Sequence, residues 1–223
     1  MRAVVSADII GSSELPTSVR KKIPDAVKKA FAAASKYATR KKTRYEIRRG
    51  DFIQAELQPL IGLRSMMLLK ANVNQLTNEH QTQKQENILV DLRLSLAVDE
   101  VSYSASSVGE SDGPAYQLSG RGLDELKPTR HQIVLQTSDV DFNEELEVMA
   151  RSLEFITSKW TRGSAEIVSL LLQEQKEIEI AAKLGISQSA VNQRKKTAGW
   201  EVIQAMLLRF EKKIGVLNNT KKR

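Results

Sequence analysis

The hydrophobic period of the chain changes near Ser138. Upstream of it, short runs alternate with a period of two or read as β-branched apolar stretches. Downstream, every apolar stripe recurs at the helical spacing of three and four residues. This pattern excludes a single sheet protein and a single helical bundle. It predicts an α+β unit followed by an all-α one. The clearest strand is ILVDLRLSLAV at 88–98, where Val90, Leu92, Leu94, Leu96 and Val98 share one face and make it half-buried. AVVSADII at 3–10 reads as a buried strand, and 131–136 as another. Residues 44–49 and 52–57 flank Gly50-Asp51 closely enough to make a hairpin.

Between these strands lies a helix from Thr17 to Lys41, with Val19, Ile23, Ala26, Val27, Ala30, Phe31, Ala34 and Tyr37 on one face. Pro24 in its first turns is tolerated or bends it. A second helix is expected at 60–77 and a short one at about 114–126, with polar loops at 78–87 and 103–113. The order β-α-β-β-α-β-α-β predicts one antiparallel or mixed sheet with helices on one face. Beyond Ser138, helices are expected at 143–158, 164–173, 176–184 and 187–214. The boundaries are a sheet domain over 1–140, a connecting helix over 141–160, a helical domain over 161–215 and a basic tail over 216–223.

Charge follows the same division. Residues 1–150 hold 20 basic and 20 acidic side chains, whereas 151–223 hold 14 basic and 7 acidic. The whole excess of +7 sits in the last third, which suits a module that meets a polyanion, or a solvated basic tail. A second basic stretch, 20–49, carries 12 basic and 2 acidic residues. It reads as a solvated helix face or as an attractor of phosphates, and it lacks the interleaved aromatics of single-strand binders. There is no cysteine, so disulfides, thiolate metal sites and cysteine nucleophiles are excluded. His80 and His131 are too far apart in sequence for a histidine metal motif. No apolar run reaches the roughly 18 residues of a membrane span, and the polar start does not read as a signal peptide. The expected location is the cytoplasm.

The sharpest local signal is EIEIAAKLGISQSAVNQRKKTAGW at 177–200. Ile178, Ala181 and Ala182 supply the inner face of a short helix, and Gly185 suits the left-handed position that ends it. Ile186 packs back, Ser187 caps the next helix, and Ala190 and Val191 fill its inner face. Gln188, Ser189, Asn192 and Gln193 are then free to read base edges in a major groove. Arg194, Lys195 and Lys196 are expected on phosphates. The competing reading is a helical hairpin that only packs or dimerises. A single helix pair reads one half-site, so a homodimer on double-stranded DNA is expected. The final helix carries Val202, Ile203, Met206, Leu207 and Phe210, an apolar stripe for the core or for a partner chain. The segment resembles the helix-turn-helix of many bacterial regulators, including region 4 of sigma factors.

In the sheet domain, Asp8 closes the first strand and Asp51 sits at the hairpin tip. Two carboxylates at neighbouring strand ends suit Mg²⁺ with a nucleoside triphosphate; two unrelated surface aspartates are the alternative. The segments ADIIGSS, GDFIQAEL, LRLSLAVDEVS and GPAYQLSGRGLDEL come in the order found in class III nucleotidyl cyclase domains. That resemblance implies a ferredoxin-like, cyclase-like sheet and Mg or Mn bound with a nucleoside triphosphate at Asp8 and Asp51. It also implies that Arg121 stabilises the transition state, that Gln117 stands where the family has asparagine, and that Glu110 falls at the base-recognition position. The lysine expected four residues before Asp51 is replaced by Ile47, with Glu46 and Arg48 beside it. A cyclase-like front with TRGSAEIVSLLL and EIAAKLGISQSAVNQR behind it resembles the SatD-like family of bacterial proteins.

Three readings stay open on the sequence. One is a DNA-binding regulatory protein whose cyclase-like domain senses a nucleotide with metal. Another is a nucleotidyl cyclase or nucleotidyltransferase with an accessory helix-turn-helix. The third is a protein-interaction adaptor using the final helix. Gln117 and Ile47 argue against efficient cyclisation, while Asp8, Asp51 and Arg121 argue for retained phosphate binding.

Overall fold

The computed structural model describes residues 1–39, 43–78 and 87–220. His80, most of the loop expected at 78–87, and the end of the basic tail lie outside the described residues. Five strands form one mixed sheet: β1 (Arg2–Ile9), β2 (Arg44–Arg48), β3 (Phe52–Leu57), β4 (Leu92–Asp99) and β5 (Ile133–Thr137), in the order β2-β3-β1-β4-β5. β1 is central and antiparallel to β3 and β4, and β5 joins β4 in parallel. The α+β class expected from the sequence is the one found.

The stretch expected as one helix over 17–41 is two, α1 (Thr17–Arg20) and α2 (Ile23–Ser35). Pro24 is the reason: it sits at the second position of α2, where its missing N–H costs nothing, and it cannot continue a helix from upstream. α2 and α3 (Gly62–Val73) cover one face of the sheet, on which Ala3, Val5, Ala7, Ile53, Leu94 and Leu96 are all buried. The expectation of helices on one face alone is overturned. α4 (Pro114–Leu126) packs on the other face, where Val4 meets Ala115 and Tyr116, and Ser6 and Ser119 share a 2.9 Å hydrogen bond. β4 is therefore covered on both sides rather than half-buried, and its off-face residues Ser95 and Ala97 are fully buried.

The helical half consists of α5 (Val140–Thr157), α6 (Arg162–Leu171), α7 (Glu177–Leu184), α8 (Gln188–Thr197) and α9 (Trp200–Thr220). α5 docks on β5 through Glu154, which accepts the N–H groups of Gln132 and Ile133, and through Arg151, which donates to the Ile133 carbonyl at 2.8 Å. The helix expected over 187–214 breaks into α8 and α9 at Gly199, whose φ of 68° no side-chain-bearing residue adopts cheaply. A Cβ there would also lie 2.8 Å from Ile156 Cγ2, so the break is packed against α5. α9 turns its stripe inward on the chain itself: Ile203, Leu207, Phe210 and Ile214 are buried, and Phe210 meets Phe142 of α5. Val202, expected in that stripe, is exposed. One apolar core runs without interruption from Ala3 in the sheet to Ile214 in α9. None of the helices among the described residues is long and apolar enough to cross a membrane.

Candidate functional site

The helix pair α7–α8 is built by local rules. Glu179 accepts the Lys176 N–H at the start of α7, and Gly185 ends it in the left-handed conformation, with φ 63°. Ser187 Oγ accepts the Ala190 N–H at 3.2 Å and starts α8. The inner contacts come from Ile180, Ala181 and Val191, with Leu184 and Ile186 partly buried beside them. Ile178 and Ala182, expected inside, are exposed instead. In an eight-residue helix several registers fit the apolar positions, and docking on α8 selects the one through Ile180.

On α8 the side chains of Gln188, Ser189, Asn192, Gln193 and Lys196 are exposed. Their spacing confines them to one stripe of the helix. The other two basic residues expected on phosphates are engaged within the protein. Lys195 Nζ lies 2.7 Å from Glu177 Oε1 and clasps the starts and ends of the helix pair together. Arg194 sits on the opposite side of α8 from the exposed stripe, its guanidinium against Gly163 of α6 closely enough that a Cβ there would stand 3.1 Å from Nη1. Trp160 Nε1 donates to the Ala198 carbonyl at 3.0 Å and anchors the end of α8.

A second cluster sits at the end of the sheet where β1 finishes and β3 begins. The Asp8 and Phe52 Cα atoms are ladder partners, and Asp51 is the next residue before Phe52. Asp8 receives Arg93 Nη1 at 3.4 Å, and Asp51 accepts from Ser12 Oγ at 2.9 Å. Both carboxylates are half-buried. Among the described residues there is no group of three or more histidine, cysteine or acidic side chains arranged to hold a metal ion. Two carboxylates fit a divalent ion only if phosphate and water complete its shell, which is the ligation Mg²⁺ accepts. Arg93, the side chain bonded to Asp8, carries no motif of its own. Its part is visible only once the β1–β4 register sets it opposite Asp8.

Arg121 and Gln117 occupy exposed positions of α4. Arg121 Nε donates to the Gln117 carbonyl at 3.3 Å, and Gln117 Nε2 donates to Asp112 at 3.4 Å. Glu110 is exposed at the end of a short 3-10 turn. That turn is held by Glu46, which accepts the N–H groups of Val108 and Gly109 at 2.9 and 3.2 Å. Glu46 thus ties the hairpin to the loop before α4. α4 itself is fixed by Tyr116, whose hydroxyl donates to buried Glu56 at 2.8 Å. Burial, and then that bond to a carboxylate, hold the Tyr116 hydroxyl well above the ordinary tyrosine range, so it stays protonated.

A family model described as the SatD family matches residues 3–209. No curated protein matches the chain. Two solved structures that are similar to it are both described as a bacterial light-regulated adenylyl cyclase. The first is 13% identical with a TM-score of 0.43, over 60% of this chain and 42% of that one. The second is 14% identical with a TM-score of 0.39, over 60% of this chain and 74% of that one. This chain spans less than half the length of the first.

Proposed function

The chain belongs to the SatD family, and from that premise we propose that it is a DNA-binding regulatory protein whose sheet domain takes up a nucleotide with a divalent ion. The observation that carries the DNA-binding reading is the stripe Gln188, Ser189, Asn192, Gln193 and Lys196: polar, exposed, and mounted on a capped helix after a glycine turn. An amide-rich outer face supplies the donors and acceptors that a reading helix needs in a major groove. The basic excess of residues 151–223 supports attraction to the backbone.

Fluorescence anisotropy with a labelled pool of duplex fragments tests this. The protein should bind with a steep salt dependence and select a subset of sequences. Replacing Gln188 and Asn192 by alanine should erase the selection by roughly 1–3 kcal/mol per base edge read. Absence of binding at low salt, or unchanged selection in that variant, would remove the reading.

The nucleotide reading rests on the nearness of Asp8 and Asp51 at one sheet end. Mg²⁺ with a nucleoside triphosphate should raise the melting temperature more than either alone, by mass action. Asp51→Asn should abolish that rise and leave DNA binding intact. An equal rise in wild type and variant would point away from the aspartates. Catalytic turnover is the weaker reading, because Gln117 bonds to Asp112 and Ile47 cannot replace a cation.

A further inference from the structure

The turn that carries Asp51 is held in a strained form. The Asp51 N–H donates to the Arg48 carbonyl at 3.3 Å, closing a four-residue turn between β2 and β3. Both central residues have positive φ, 52° at Arg49 and 83° at Gly50, the pattern of a type I′ turn. Such turns favour Asn-Gly, Asp-Gly or Gly-Gly, because the first central residue must also enter the left-handed region. An arginine is held there only against backbone strain. Among the described residues, Arg49 and Glu174 are the two other than glycine with positive φ. Glu174 forms an ion pair with Arg64 at 3.4 Å. Nothing comparable holds Arg49: it is exposed, and it makes no hydrogen bond or ion pair with any described residue. Strained backbone of this kind gathers at ligand clamps.

We propose that Arg49 is a phosphate-binding residue for the nucleotide taken up with a divalent ion at Asp8 and Asp51, an inference that rests on that reading of the aspartate pair. Arg49 comes two residues before Asp51, so their Cα atoms are at most about 7 Å apart. Phosphates on an ion ligated by Asp51 are therefore within reach of its side chain. Asp8 already receives Arg93. A divalent ion then balances both carboxylates, and the phosphates that complete its shell bring negative charge that further cations stabilise. Arg49 supplies one as a planar fork that matches phosphate oxygens in pairs, with no internal partner to give up. The turn fixes the backbone of Arg49 while its side chain stays in solvent, so the cation is placed without being buried. Its neighbour Arg48 is already engaged. It pairs with Glu46 at 3.4 Å, and its guanidinium lies against Gly109 so closely that a Cβ there would stand 1.1 Å from Nη2.

The test is isothermal titration calorimetry of the full chain with Mn²⁺ alone, with Mn²⁺ and ATP, and with Mn²⁺ and tripolyphosphate, in wild type and Arg49→Asn. Asparagine removes the charge and suits the left-handed position, so the ligand-free variant should melt at the wild-type temperature or above it. ATP and tripolyphosphate should each bind it about tenfold more weakly, the loss of one charge-assisted hydrogen bond. Mn²⁺ alone should bind as tightly as before or more tightly, because a like charge beside the ion is gone. Arg49→Lys should recover part of the loss. Lys212→Met, which removes an exposed cation from α9, should change affinity less than twofold. Unchanged ATP affinity in Arg49→Asn overturns the proposal and leaves the aspartate reading standing. A loss with ATP but not with tripolyphosphate assigns Arg49 to the base or sugar and overturns it too. So does an equal loss in Lys212→Met, and so does a lower melting temperature together with weaker Mn²⁺ binding, which would make the effect structural. A wild type that binds no ATP with Mn²⁺ removes both the proposal and the reading beneath it.

Discussion

Glu56 is the buried charge on which the α4 face of the sheet turns, and removing it should cost a large part of the protein's stability. Its side chain is 5% exposed and faces three groups: Arg2 Nε at 3.4 Å, Arg44 Nη1 at 3.3 Å and the Tyr116 hydroxyl at 2.8 Å. Deleting one partner of a fully buried ion pair costs about 3–5 kcal/mol. Here the two guanidinium groups are 24% and 27% exposed and recover water, so their share falls towards the value of surface pairs, below about 1 kcal/mol each. The Tyr116 hydroxyl is buried and left without its acceptor, at about 1–3 kcal/mol. Glu56→Ala should therefore destabilise by about 2–4 kcal/mol in urea unfolding followed by circular dichroism. A double-mutant cycle with Tyr116→Phe isolates the one bond, with a coupling of about 1.5–3 kcal/mol expected for a hydrogen bond to a charged group. A coupling below about 0.5 kcal/mol would refute the view that this bond, rather than apolar packing, anchors α4.

Lys196→Ala should lower the slope of log affinity against log salt on DNA by about 0.9, one phosphate's worth, whereas Lys195→Ala should leave the slope nearly unchanged because Lys195 is paired with Glu177. Gly199→Ala should destabilise by about 1–3 kcal/mol through its left-handed φ and the clash with Ile156, while Gly120→Ala, in open space on α4, should be neutral or stabilising by up to about 1 kcal/mol in the same denaturation assay. Hydrogen bonding to Lys213, and then to Arg209, holds the Glu145 carboxyl below its ordinary value of 4.5 and links α5 to α9. A lowered folded-state value stabilises above the unfolded one and is lost on acidification. The melting-temperature gap between wild type and Glu145→Gln should thus be full at neutral pH, shrink as pH falls below 4.5, and be reduced by salt.

Where local chemistry decides, the sequence is a good guide. Ser187, Gly185 and the alternation of β4 each act within a few residues, and the structure has the cap, the left-handed turn and the buried face they imply. Pro24 and Gly199 were equally local, but a continuous apolar stripe on both sides hid the breaks they impose. The buried face of α7 is not legible in the sequence because eight residues allow more than one register, and only packing in the fold separates exposed Ile178 from buried Ile180. The partners of the aspartates were invisible for a different reason: Arg93 meets Asp8 across 85 residues of chain, through a strand register no local pattern encodes. Arg194 illustrates the limit most clearly. Its place in a run of three basic residues points to phosphates, but the helical repeat turns it inward against Gly163.

The central question is whether the outer stripe of α8 meets DNA bases. Site-specific photocrosslinking reads this directly: Asn192→p-benzoylphenylalanine on α8, with Val148→p-benzoylphenylalanine on the exposed face of α5 as the control. With duplex DNA that the protein selects, the α8 position should crosslink efficiently to bases in the major groove, the α5 position should not, and added salt should suppress the signal. Equal crosslinking from both positions, or none from Asn192 under conditions where the complex forms, would contradict the assignment of α8 as the reading helix.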